Sequence, residues 1–107
     1  MPEITVRAIA RREIVRHGSY LEEHAGREVT DRFLAAVADT MEELARMPRM
    51  APLCGFTSDA LRRARRWPVK GFENWLIFYQ PQRNGIEVIH VLHAARDIES
   101  LLNDEGG

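Results

Sequence analysis

Four histidines, a run of arginines and one cysteine supply the reactive groups of this 107-residue chain, and their spacing decides which chemistry they could share. Arg96 follows His93 by three residues. An imidazole that titrates near neutrality beside a guanidinium is the minimum for moving a proton while steadying a phosphate, the work of a small ribonuclease. Such enzymes gather several cations round the reacting phosphorus, so one His with one Arg is a thin signal. The plainer reading has His93 hydrogen-bonded within the domain and Arg96 paired with Asp97 or a helix acid. His90 and His93 stand an odd number of residues apart at the end of a strand, which sends them to opposite faces and denies them a common metal. His17 and His24 share a helix face seven residues apart, where metal pairs favour four, and an exposed structural role suits them better. Glycine-rich phosphate loops, Cys/His zinc spacings and serine elbows do not occur in the sequence, and no metal or cofactor is expected.

Arg62, Arg63, Arg65 and Arg66 crowd one short segment, although fifteen Lys plus Arg against sixteen Asp plus Glu leave a net charge of -1. Global charge therefore gives no pull toward phosphate backbones. The cluster reads either as a strand edge blunted by charge or as a seat for an acidic or phosphate-bearing partner. Cys54 has no second cysteine to bridge, and residues 1–10 lack the apolar run of a secretory signal, so a reducing, cytoplasmic setting is expected. No apolar stretch approaches the roughly 20 residues of a membrane-spanning helix, and no membrane partner is expected.

The elements that must position these groups follow from hydrophobic period. Residues 3–7 alternate Ile4 and Val6 with polar neighbours, a short half-buried strand. From Ala8 the spacing of Ala10, Ile14, Leu21 and Ala25 is that of one helix stripe, weakened at Gly18 and stopped at Gly26. A second stripe, Val29, Phe33, Val37, Met41 and Leu44, runs until Pro48 forbids further helical bonding. So short a connection predicts a helical hairpin whose apolar side needs a cover. Residues 47–59, with Pro48, Pro52 and Gly55, read as a surface loop. Three strands are predicted at 61–69, 72–79 and 86–93, linked at Lys70-Gly71 and by a turn around Pro81, Asn84 and Gly85. They form an antiparallel meander. Residues 95–102 predict a short closing helix and 104–107 a frayed end. Residues 1–107 thus read as a single α+β domain, one sheet with the helices on one face.

Both faces of that sheet are apolar. Trp75, Ile77 and Tyr79 share one side of the middle strand with Glu73, whereas Phe72, Asn74, Leu76 and Phe78 take the other. The last strand divides into Ile89, Val91 and His93 against Val88, His90 and Leu92. A sheet with helices on one side should be polar on the other. Leu76, Phe78, Val88 and Leu92 break that rule. Either a partner covers them, or the terminal helix and the proline-rich loop fold back over them.

The run 71–79, Gly-Phe-Glu-Asn-Trp-Leu-Ile-Phe-Tyr, resembles the middle strand of ParE toxins, and Val91 to Asp97 resembles their closing signature. The opening strand, the hairpin with Phe33 and Leu44, and the terminating Pro48 are similar too, so that the resemblance to the ParE/RelE toxin superfamily spans about residues 3 to 102. It implies a toxin–antitoxin pair: a cognate antitoxin, commonly with a ribbon-helix-helix half, wraps an otherwise disordered tail round the toxin. DNA would be met only through that antitoxin. The ParE branch poisons DNA gyrase, and the RelE branch cleaves messenger RNA on the ribosome. The ribonuclease branch carries arginines where this chain has Leu76 and Ala94, and a terminal tyrosine where nothing follows Tyr79. Leucine and alanine cannot stabilise a reacting phosphate. The resemblance therefore implies a non-enzymatic inhibitor whose partner surface comprises Leu76, Phe78, His90 and Leu92 with Arg62, Arg63, Arg65 and Arg66 beside them. The alternative is a RelE-type endoribonuclease using His93 and Arg96.

Overall fold

The computed structural model describes residues 2–97 and Leu101. The change of period at Ala8 is where strand gives way to helix: β1 spans Glu3–Val6, α1 Ala8–Ala25 and α2 Arg27–Arg46. Gly26 alone separates the helices, and its φ of 92° is the left-handed turn that lets one residue end α1 and begin α2. Gly18, read as a weak point of α1, is buried where Thr30 Oγ1 donates to its carbonyl at 3.3 Å. The three strands that follow are β2 at Arg65–Val69, β3 at Phe72–Gln82 and β4 at Gly85–His93.

The sheet order is β1-β4-β3-β2, with β1 parallel to β4 and the other pairs antiparallel. The meander is as expected, and the N-terminal strand makes the sheet mixed. Phe33, Val37, Met41 and Leu44 of α2 pack with Leu21 of α1 against Trp75, Ile77 and Tyr79 of β3 and Ile86, Val88 and Val91 of β4. Removing this apolar area from water is the main term holding helices to sheet.

Three sequence expectations are corrected. β2 begins at Arg65, not at residue 61, because 58–64 closes a turn in which the Ser58 carbonyl accepts Leu61 N–H and the Leu61 carbonyl accepts Ala64 N–H. β3 continues through Pro81 to Gln82. A proline is tolerated there because β2 pairing ends at Arg65 opposite Tyr79, so no strand lies beside Pro81 on the β2 side, while on the other side it stands opposite Ile86 of β4. In β4 an extra residue, Ile89, is bulged: His90 lies opposite Phe78 but Val88 opposite Tyr79. The bulge exchanges faces, so Val88 joins the helix-side core and Ile89 the far side. Of the predicted closing helix, residues 98–100 and 102 lie outside the described residues, as does the predicted frayed end; residues 94–96 form a turn.

β1 is four residues long and leaves the edge of β4 unpaired beyond Val88. Helix α1 completes it with side chains. The Glu13 carboxylate accepts Val91 N–H at 3.0 Å and His90 Nδ1–H at 3.0 Å, while His17 Nε2–H donates to the Val91 carbonyl at 2.7 Å. Glu13 and His17 are one helical turn apart, the spacing that aims two side chains at one strand residue. His17 is 1% exposed, so its expected exposed role is replaced by a buried one. His24, by contrast, stays exposed and stacks on Tyr20 at 4.2 Å.

Replacing Glu13 by Ala would leave the buried Val91 N–H without its side-chain acceptor and take from His90 its carboxylate contact. The expected loss is about 2–4 kcal/mol of unfolding free energy, read from urea midpoints. Gly18→Ala should move the midpoint the other way by about 0.5–1 kcal/mol, the helix-propensity gain. The added Cβ would meet Thr30 Cγ2 at 3.7 Å and Leu34 Cδ2 at 3.9 Å, ordinary contacts.

Candidate functional site

Leu76 lies opposite Leu92 and Phe78 opposite His90, so these four residues do share the sheet face turned away from the helices. That face is covered by the chain itself. Phe56 and Cys54 pack on Phe78 and Leu92 together with Leu101, and Leu61 and Ala64 close over Ile89. Phe78, His90 and Leu92 are 3%, 4% and 2% exposed, which corrects the expectation of an open apolar face. Phe78 and Leu92 are each worth about 1.5–3 kcal/mol when buried, and the segment 51–64 supplies the cover from within. Leu76, Phe56 and Cys54 remain half-buried and mark what a partner could still touch. Burial pushes the Cys54 thiol above its ordinary value, with Arg66 opposing, so Cys54 stays protonated and is a poor nucleophile.

The segment is pinned from the sheet. Tyr79 donates its hydroxyl to the Pro48 carbonyl at 2.8 Å, and Arg65 Nη1 donates to the carbonyls of Ala51 at 2.6 Å and Arg49 at 3.3 Å. Cys54 N–H bonds to Ala64 O, Arg66 N–H to Pro52 O, and Leu53 bridges Arg65. The free edge of β2 is thereby blunted by the chain's own backbone.

Of the four predicted arginines, Arg62, Arg63 and Arg65 share one cleft and Arg66 stands apart. Arg66, opposite Phe78, stands exposed beside the outer face. Arg65, opposite Tyr79, is half-buried and structural, and its Nε–H finds no acceptor among the described residues. Arg62 and Arg63 emerge exposed from the tight turn, Arg63 reaching the Pro81 carbonyl at 3.4 Å. With Arg65 they line a cleft to which Arg49 also contributes, and Arg49 and Pro81 continue into a second cleft that reaches Arg83. Arg49 and Arg83 belong to this surface, and no local pattern in the sequence ties them to it.

His93 and Arg96 meet in a clasp at the end of β4. The Asp97 carboxylate accepts His93 N–H at 2.8 Å, and the His93 carbonyl accepts Asp97 N–H at 2.9 Å. His93 Nδ1 accepts the N–H groups of Ala95 and Arg96 at 3.2 and 3.3 Å. That occupation leaves the ring only its Nε2–H to offer, a donor rather than a base. Burial and the nearby Arg96 hold the imidazole below its ordinary pKa, so it is neutral at neutral pH. Arg96 does not pair with Asp97 as expected: its guanidinium lies 4.0 Å over the Tyr20 ring, and Arg16 Nη1 takes Asp97 Oδ1 at 3.4 Å. For Asp97 burial acts upward, but the His93 N–H bond and Arg16 together outweigh it and hold the carboxyl below its usual range. At the two positions where a phosphate-cleaving relative would carry arginine, Leu76 packs with Phe78 and Leu92, and Ala94 is exposed.

The sequence matches, over residues 4–98, a family model described as the ParE toxin of type II toxin-antitoxin system, parDE. Among solved structures it is similar to a chain of the chromosomal ParDE TA system from P. aeruginosa, with a TM-score of 0.70 and 8% identity over 87% of this chain and 96% of that one. At that identity the likeness is one of fold. No curated protein matches the sequence.

Stability should fall with acidity in two stages. Burial depresses His17 and His93 below their ordinary 6.5, so below that pH the unfolded chain binds protons that the folded chain refuses. Asp97, depressed from 3.8, contributes stability above that value that is lost as pH falls through its folded pKa. Urea midpoints taken from about pH 7.5 to 5 should decline, and His93→Gln should flatten part of the slope. An unchanged slope would remove His93 from the account.

Proposed function

The chain belongs to the ParE toxin family of type II toxin–antitoxin systems, and from that premise we propose that it acts by binding its target without cleaving it and is silenced by a cognate antitoxin. The observation that carries the reading is the state of the one imidazole that could have served as a base. His93 spends Nδ1 on two backbone donors, and no arginine occupies positions 76 or 94 to stabilise a reacting phosphate. DNA gyrase is the proposed target, and the cytoplasm the compartment. The antitoxin, of ribbon-helix-helix type with a disordered tail, is the only link to DNA. Its tail contacts Leu76 and Arg66 on the outer face and Arg62 and Arg63 at the β2 end. Phe78, His90 and Leu92 form the floor beneath, and Arg65 holds the rim in place. Charge-assisted bonds from exposed arginines would guide the tail, while apolar contacts would retain it.

Expression of the chain alone in a bacterium should arrest growth, with filamentation and a DNA-damage response, and a co-expressed antitoxin should restore growth. His93→Ala should leave the arrest intact. Codon-phased messenger RNA ends that vanish in that variant would replace this reading with the endoribonuclease one.

A further inference from the structure

Along the helical hairpin acids and bases are interleaved, Glu22, Glu23, Glu28, Asp31, Asp39, Glu42 and Glu43 being exposed beside Arg11, Arg12, Arg16, Arg27, Arg32 and Arg46. The two adjoining clefts between the segment after α2 and the end of β3 are different, because there the bases stand without acids. Arg49, Arg62, Arg63, Arg65 and Arg83 line them, and no carboxylate does. Among the described residues all ion pairs involve other groups, so none of these five guanidinium groups has an acidic partner. Five like charges on one trough repel one another and favour an anion that can span them.

We propose that this trough is the docking site of an extended acidic peptide segment whose carboxylates alternate with apolar side chains. The inference deepens the toxin reading by naming the chemistry of its partner, and rests on that reading only for the partner's identity. Two features favour peptide over nucleic acid. The walls between the arginines are aliphatic, with Met47 60% and Leu53 56% exposed and Pro81 shared by both clefts, which are places for apolar side chains. No aromatic ring lines either cleft, so unstacked bases would find no platform. The clefts, about 570 and 410 Å³, have room for several residues of an extended chain. Arg65 itself is committed to the Ala51 carbonyl, so the mobile contacts fall to the other four.

Fluorescence anisotropy with the full chain tests this, using a labelled peptide of about 12 residues in which Glu and Leu alternate, long enough to cross the trough at roughly 3.3 Å per residue. A Gln-for-Glu version and a thymidine oligonucleotide of equal length are the comparisons. The acidic peptide should bind best, weaken with added salt, and lose about tenfold or more in affinity in Arg49→Glu/Arg83→Glu. Arg62→Glu/Arg63→Glu gives the same measurement should the first variant melt early. Preference for the oligonucleotide, or peptide affinity indifferent to both variants, overturns the proposal. Growth arrest by the unaltered chain without peptide binding would sink the trough and spare the toxin reading; binding without arrest would do the reverse.

Discussion

The carboxylate of Glu13, buried against the edge of β4, is the interaction from which the architecture follows. A sheet edge with unpaired backbone groups must be closed, and β1 is too short to close it. Glu13 and His17 do so from a helix, meeting both the N–H and the C=O of Val91. Burying a carboxylate is costly unless donors meet its oxygens, and here the Val91 N–H and the His90 ring do so. Because α1 must lie along that edge, the one-residue turn at Gly26 swings α2 over a single face of the sheet. The second face is left for whatever the rest of the chain can bring.

What it brings is the segment between α2 and β2, and the manner of its attachment shapes the surface. Tyr79 and Arg65 stand opposite each other on β2 and β3 and hold the carbonyls of Pro48, Arg49 and Ala51. With the backbone fixed there, Cys54 and Phe56 drop over Phe78 and Leu92, and the arginines not needed for anchoring are pushed outward. The same tethering thus buries the apolar floor and gathers the cations. A face that is internally roofed yet rimmed with half-buried Leu76 and exposed Arg66 offers less apolar area than a bare one, so charge carries more of any recognition there.

The sequence spoke clearly where one period dominated. Two helix stripes, the glycine between them, the proline after them and the strand alternation of Trp75, Ile77 and Tyr79 were each readable because a single apolar side decided the element. The bulge at Ile89 was not, since the run from Ile86 to Leu92 is apolar in nearly every register and gives no parity to violate. Glu13 and His17 escaped for the opposite reason. Polar side chains on a helix look solvated until the strand edge they serve is known. Arg49 and Arg83 join Arg62 and Arg63 only through tertiary contact, so the linear charge cluster showed part of the basic surface and hid the rest.

The clasp from His93 to Asp97 holds the end of β4 without help from the side chain at position 94. Its strength comes from backbone groups, the Asp97 carboxylate, Arg16 and the stacking of Arg96 on Tyr20. Position 94 contributes its N–H to the Asn74 carbonyl and nothing through its side chain to that network, so its side chain is free to be an arginine or an alanine without loosening the end of β4. Position 76 is different. Leu76 packs against the Phe78 and Leu92 cluster, and a guanidinium there would have to leave that cluster to reach water. The two absent cations therefore differ in kind: one position is neutral for folding, whereas the other is tied to the apolar packing of the outer face. A cation at position 76 would require that packing to be rebuilt, whereas one at position 94 would not.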